Sequence, residues 1–190
     1  MSYRLVQNIK HTDAYNSGGI TSLHLLDIKG FEHYIYKDDK QFDECFVDSI
    51  VVSLPYSRLD TVHESNFAET HENGVYKQTL TTFVRTLEGT KLSNILLASV
   101  NKYLVVFKTS QGKGYTFGSD GGASLSFTQQ TGQLGEAAGY TITIGKNSVY
   151  PLFEIDADKF DSDVEWILEH GWWNDRGVWM RNGIWQTTNS

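Results

Sequence analysis

Among 190 residues there is one cysteine, Cys45, and there are two prolines, Pro55 and Pro151. A lone cysteine excludes an internal disulfide and any cysteine-rich zinc site. Scarce proline beside 17 glycines predicts many tight turns and few rigid linkers, a chain that doubles back in antiparallel strands. No stretch nears the ~18 uninterrupted apolar residues of a membrane helix, and the opening MSYRLVQNIKHTD has no apolar run of the signal-peptide kind. These absences predict a soluble, unexported chain with no membrane partner. Positive charge is also in deficit, the formal net charge being -7. Without clustered Lys and Arg there is nothing to grip phosphates tightly, which argues against sequence-specific DNA binding.

What is present is enough apolar material for a core. Hydrophobic residues make up 39% and aromatics 13%, which offsets the entropy of ordering and argues against intrinsic disorder. The length fits one domain of ordinary size, or a core domain with a short appendage. Charge is unevenly spread. Glu154 to Arg176 holds eight acids against Lys159 and Arg176, a net of -6, whereas Val84 to Gly118 holds Arg85, Lys91, Lys102, Lys108 and Lys113 against Glu88, a net of +4. Such poles would steer copies of the chain head to tail, since complementary patches set orientation more than affinity.

Apolar periodicity assigns the elements. Thr21–Tyr36 reads as a hairpin turning at Lys29-Gly30, Cys45–Leu54 as a strand stopped by Pro55, and Asn73–Leu87 as a strand of about ten residues opening on Asn73-Gly74. Ser57–Glu72 is polar and carries no clear period. In Thr90–Asn101 the period changes: Leu92, Ile95, Leu96 and Ser99 follow helical spacing behind Thr90 as N-cap. Tyr103–Thr109 and Tyr115–Gly118 form a second predicted hairpin. Leu125 and Phe127 alternate with polar residues, and Gly139–Gly145 alternates strictly, with Tyr140, Ile142 and Ile144 on one face. Val149–Asp156 reads as an edge strand because Pro151 lacks a ladder donor. Phe160, Val164, Ile167 and Leu168 predict a second, acidic helix stopping at Gly171. The fold class expected is therefore α+β, predominantly antiparallel β as a sandwich or barrel, with a flanking helix and a second C-terminal helix. Residues 1–156 form the β-rich core and 157–190 the acidic helix and tail.

No residue set calls for catalysis, a metal or a cofactor. Asp43 and Glu44 beside Cys45 disfavour its thiolate, so a buried structural thiol is expected. His63-Glu64 and His71-Glu72 lack the same-face spacing of a zinc helix. There is no G-x-S-x-G elbow. QGKGYTFGSDGG lacks the ending of a phosphate loop and precedes no helix, so its glycines belong to hairpin turns. The carboxylates from Asp156 to Glu165 lack the order of a calcium loop. A non-enzyme is expected.

The tail is distinctive. Trp173, Trp179 and Trp185 recur every six residues, with Gly177 and Gly183 each two residues before a Trp. One extended strand would set all three indoles on one face; if the Gly turns fold back, they form a small meander with clustered Trp. Packing on a neighbouring chain suits such aromatics. A carbohydrate- or cell-surface-binding module built on the same three residues is the alternative.

The run YLVVFKTSQGKGYTFGS, then SLSFTQQTGQ, then GYTITIGKNSVYPLFEID, spanning Tyr103 to Asp156, resembles small structural proteins of the tail or neck modules of phages and prophages of Bacteroides-type bacteria. The shared pattern is strand, turn, return strand ending Gly-Ser, Gly-rich connection, and a GYT-like strand followed by proline. The resemblance implies a virion component assembled in the host cytoplasm, a ring-forming subunit of the tail tube or head-to-tail connector. Its partners would be copies of itself and other tail or neck proteins, with DNA passing non-specifically through a neutral or acidic lumen. The N-terminal third and the Trp tail depart from the pattern. The candidate interface residues are Trp173, Trp179, Trp185, Asp158, Asp161, Asp163, Lys102, Lys108 and Lys113.

Overall fold

The computed structural model describes residues 18–36, 45–54, 56–59, 65–134 and 136–156, and the backbone of two short strands at 177–179 and 185–187. The strands are β1 (Ile20–Asp27), β2 (Phe31–Tyr36), β3 (Phe46–Val52), β4 (Ser57–Leu59), β5 (Asn66–Glu72), β6 (Val75–Arg85), β7 (Lys102–Thr109), β8 (Gly114–Phe117), β9 (Ala123–Gln130), β10 (Gly139–Ser148), β11 (Phe153–Ile155), β12 (Gly177–Trp179) and β13 (Trp185–Thr187). Among the described residues one α-helix, α1 (Gly89–Ser99), joins β6 to β7. The predominantly antiparallel β class with a flanking helix is thus the one the patterning predicts. The helix expected after Asp156 lies outside the described residues.

The sheet is open and branches at β7. One edge of β7 pairs with β1 from Asp27↔Tyr103 to Ile20↔Thr109. Its other edge is shared: Lys102 and Tyr103 pair with β9, and Val105 to Lys108 pair with β8. From there one wing runs β8-β11-β3-β2 and the other β9-β10-β6-β5, while β4 pairs on the far side of β1. Every pairing is antiparallel except β3 with β11.

Alternation along β7 feeds two cores. Tyr103, Val105 and Phe107 enter one with Leu23, Leu25, Leu125, Tyr140, Ile142 and Ile144; Leu104 and Val106 enter the other with Leu26, Ile50, Val52 and Phe153. Because both faces of β7 are covered, its sequence is continuously apolar instead of alternating. A register shift between Ile20 and Ser22 inserts one extra residue in β1. Without it Ile20 would share the face of Leu26; the bulge returns it to the core of Leu23 and Leu25.

Four local readings are corrected. Thr21–Tyr36 forms two strands but no hairpin: β1 pairs with β7 and β4, and β2 with β3. The link is a 3-10 turn at Ile28–Gly30, capped by the Asp27 carboxylate accepting from the Lys29 N–H at 2.9 Å. This corner sends β2 to the edge of a wing. The polar stretch 57–72 contains β4 and β5, the latter a sheet edge whose pairing is fixed by β6 and by a two-residue turn with φ of 52 at Asn73 and 80 at Gly74, the left-handed pair that a tight hairpin requires. β11 starts only after Pro151 and is interior, between β3 and β8. Finally, α1 begins behind Glu88, so Thr90 is inside it and makes no cap.

Several buried polar groups are paired at the seams. The Tyr34 hydroxyl meets Thr116 Oγ1 at 3.0 Å, and Ser65 Oγ meets Thr82 Oγ1 at 2.6 Å. Glu69 on β5 accepts from Gln78 Nε2 at 2.8 Å and from the Leu152 N–H at 2.9 Å. That carboxylate ties the link from β10 to β11 onto the edge hairpin, next to a proline that has no N–H to offer.

Three outcomes are expected. Leu104→Ala should cost about 2–5 kcal/mol and Phe107→Ala about 3–5 kcal/mol, each in a single urea transition, because the two cores share one strand. Glu69→Ala should cost about 1–3 kcal/mol by stranding the Gln78 and Leu152 donors, measured in the same way. Burial raises the Tyr34 hydroxyl pKa far above its ordinary value, and burial also raises Tyr103 and Tyr115. Below about pH 10 folded and unfolded chains hold these protons alike. Above it the unfolded chain releases protons that the fold retains, so stability should fall as pH rises, less steeply in Tyr34→Phe.

Candidate association surface

β9 stays with β7 for only two residues and then diverges, leaving the first core open between β9 and the β1–β4 pair. α1 lies over this opening and closes it in part. Leu92, Ile95 and Ala98 turn inward against the core. What remains is a groove of about 520 Å³ floored by Leu25, Tyr103, Leu125 and Ile142, walled by Leu59, Ile95 and Leu97, with Arg58 and Lys91 at its rim. Its base is the apolar core itself. The Tyr103 hydroxyl, whose pKa is raised by burial and lowered in part by a hydrogen bond with Asn101, remains a neutral group there.

Exposed apolar residues also stand in the last turns of α1 and at its C-cap. Leu96 is 50% exposed, Leu97 65% and Val100 78%. Sequence spacing assigned Leu96 to the inward stripe with Leu92 and Ile95; the observed stripe is Leu92, Ile95 and Ala98, and Leu96 faces solvent. The helix is apolar on more than one side, so periodicity alone could not choose the side that faces the sheet.

A second exposed apolar feature is the connection from β9 to β10. Its Gln133–Glu136 turn is closed by the Glu136 N–H donating to the Gln133 carbonyl at 2.9 Å and the Gln133 N–H donating to Glu136 Oε2 at 2.8 Å. Leu134 stands in this turn at 108% exposure. No sequence signal singled it out, because one leucine in a Gly-rich link has no period.

The basic candidates do not converge. Lys102 and Lys108 lie six residues apart on β7, about 20 Å along an extended strand. Lys102 Nζ donates to the Ser124 hydroxyl, and Lys108 is half-buried between β1 and β8. Lys113 Nζ donates to Glu154 Oε1 at 2.8 Å, which raises the lysine pKa. The basic and acidic stretches therefore meet within one molecule at that point, and Lys91 likewise pairs with Glu88 at 3.1 Å. Of the acidic and aromatic candidates, Asp158, Asp161, Asp163 and Trp173 lie outside the described residues. β12 and β13 pair antiparallel, and their register places Trp179 opposite Trp185.

The other sequence candidates are placed without a reactive set forming. Cys45 is half-buried beside the second core, with φ of 49, and its carbonyl accepts from the Glu154 N–H at 2.9 Å. His71 stacks on Tyr76 at 4.5 Å near the hairpin tip. Gly112, with φ of 80, sits in the β7–β8 turn, the hairpin role expected for that Gly-rich segment. Among the described residues no three His, Cys, Asp or Glu side chains gather where they could hold a metal ion, and no helix is long and apolar enough to cross a membrane.

Comparison with protein families, with curated proteins and with solved structures gives no match to this chain.

Proposed function

We propose that this chain acts by assembling with copies of itself, as a virion structural subunit that forms a ring in the tail tube or head-to-tail connector of a phage or prophage. The observation that carries the reading is the exposed apolar group of Leu96 and Leu97 on α1 and Val100 at its C-cap, with Leu97 also lining a groove floored by the core. Contiguous apolar surface beside such an opening marks interaction sites on soluble proteins. The resemblance of Tyr103–Asp156 to tail and neck proteins supplies the setting. A branched sheet with its central pair covered on both faces suits a rigid ring segment, since the scaffold can hold its contact surfaces in fixed relation.

In this reading the chain carries out no bond-making or bond-breaking step. Its work is the burial of this apolar group on a neighbour, and a buried leucine contributes about 1.5–3 kcal/mol, enough to change an association constant tenfold or more.

The purified chain should sediment as a concentration-dependent oligomer, and a tagged copy should localise to the tail or neck in micrographs of intact particles. Leu97→Glu should weaken association at least tenfold and leave the melting temperature within a few degrees, because Leu97 is largely outside the core. A chain that stays monomeric and absent from particles would overturn the proposal. Saturable quenching of tryptophan fluorescence by a polysaccharide would favour the carbohydrate-binding alternative instead.

A further inference from the structure

We infer that Leu134 is a knob received by the groove beneath α1 of a second copy of this chain, so that copies join head to tail. The inference rests on the self-association reading and specifies the contact.

Leu134 is the most exposed large apolar residue among those described, and it is held out by structure. The turn that bears it is closed by two hydrogen bonds between Gln133 and Glu136. Gly132 precedes it with φ of 66, where an added Cβ would lie 3.0 Å from the Ala137 carbonyl oxygen. The bonds between Gln133 and Glu136 hold the ends of the turn together, and a restraint of that kind lowers the entropy cost of docking.

The groove offers what the knob lacks. Its floor of Leu25, Leu125 and Ile142 is apolar, and its volume of about 520 Å³ admits a side chain with part of its turn. Leu134 is not part of the groove's own lining and stays fully exposed, so the groove that would bury it belongs to another molecule. In the groove wall, exposed Leu97 extends the apolar contact beyond one leucine.

Charge favours the same orientation. Arg58 and Lys91 stand at the groove rim, and Glu136 follows Leu134 by two residues. Arg58, Lys91 and Glu136 all have interactions within their own chain already, so these charges would orient the encounter more than they tighten it. Knob and groove are different surfaces, so the contact is heterologous and propagates until it closes as a ring or runs on as a filament.

The test uses the full chain with Cys45→Ser and two new cysteines, Leu134→Cys and Ala98→Cys. Oxidation should give a ladder of covalent dimers, trimers and higher species on a non-reducing gel. Ala98→Cys alone should give none, and Leu134→Cys alone no more than dimers. In parallel, sedimentation should show association weakened at least tenfold by Leu134→Asp and by Ala98→Trp, which fills the groove, with Leu134→Asp melting at the wild-type temperature. If both variants assemble like the wild type, the knob and groove are wrong while self-association stands. If the double-cysteine chain closes only within one molecule, or native mass spectrometry finds a small molecule held in the groove, the inference also fails. A wild-type chain that is monomeric at every concentration overturns both readings.

Discussion

The β1–β7 pair is committed in every direction the backbone and side chains offer. β7 is hydrogen-bonded along both edges and buried on both faces, with Leu104 and Val106 serving one core and Tyr103, Val105 and Phe107 the other. A strand in that position has no solvent side, so its register cannot slip without exchanging the two cores' contents. The bulge at Thr21 follows from the same demand: it returns Ile20 to the side where an apolar residue is needed. The two wings and both cores are organised about this pair, and α1 with its groove sits where β9 turns away from it.

Branching has a cost at the seams, where polar backbone and side chains are drawn inward. The fold meets it with short, local pairs. Asp27 closes the corner after β1, Tyr34 and Thr116 satisfy each other inside the second wing, and Glu69 holds the link from β10 to β11. Where the sheet splits, Gly118 and Gly122 permit close backbone approach: a Cβ on Gly118 would lie 2.8 Å from the Tyr103 carbonyl oxygen, and one on Gly122 would lie 2.6 Å from Lys102 Cβ. Both have φ in the left-handed region, so glycine is required there for two independent reasons.

Several polar groups in the described part of the chain hold the scaffold together, and part of the exposed surface is apolar. The exposed ion pairs Lys77–Glu72, Lys91–Glu88 and Lys113–Glu154 contribute little individually, because solvent screens them. The side of α1 away from the sheet, the groove beside it and the Leu134 turn are a different matter. Each keeps hydrocarbon in water that a neighbouring surface could cover.

The amino-acid sequence by itself determined the β-rich class, the position of α1 to within a residue or two, the β7–β8 hairpin and the inward face of β10 at Tyr140, Ile142 and Ile144. Those features are written in local periodicity and turn chemistry, which need no knowledge of distant neighbours. Tertiary structure alone decided that β1 and β2 part company, that β11 is interior, that the polar residues 66–72 form an edge strand, and that Leu96 faces outward while Leu134 crowns a turn. Each of these depends on which strand lies alongside or which surface is left uncovered, and pairing across a sheet is settled by side chains far apart in the chain.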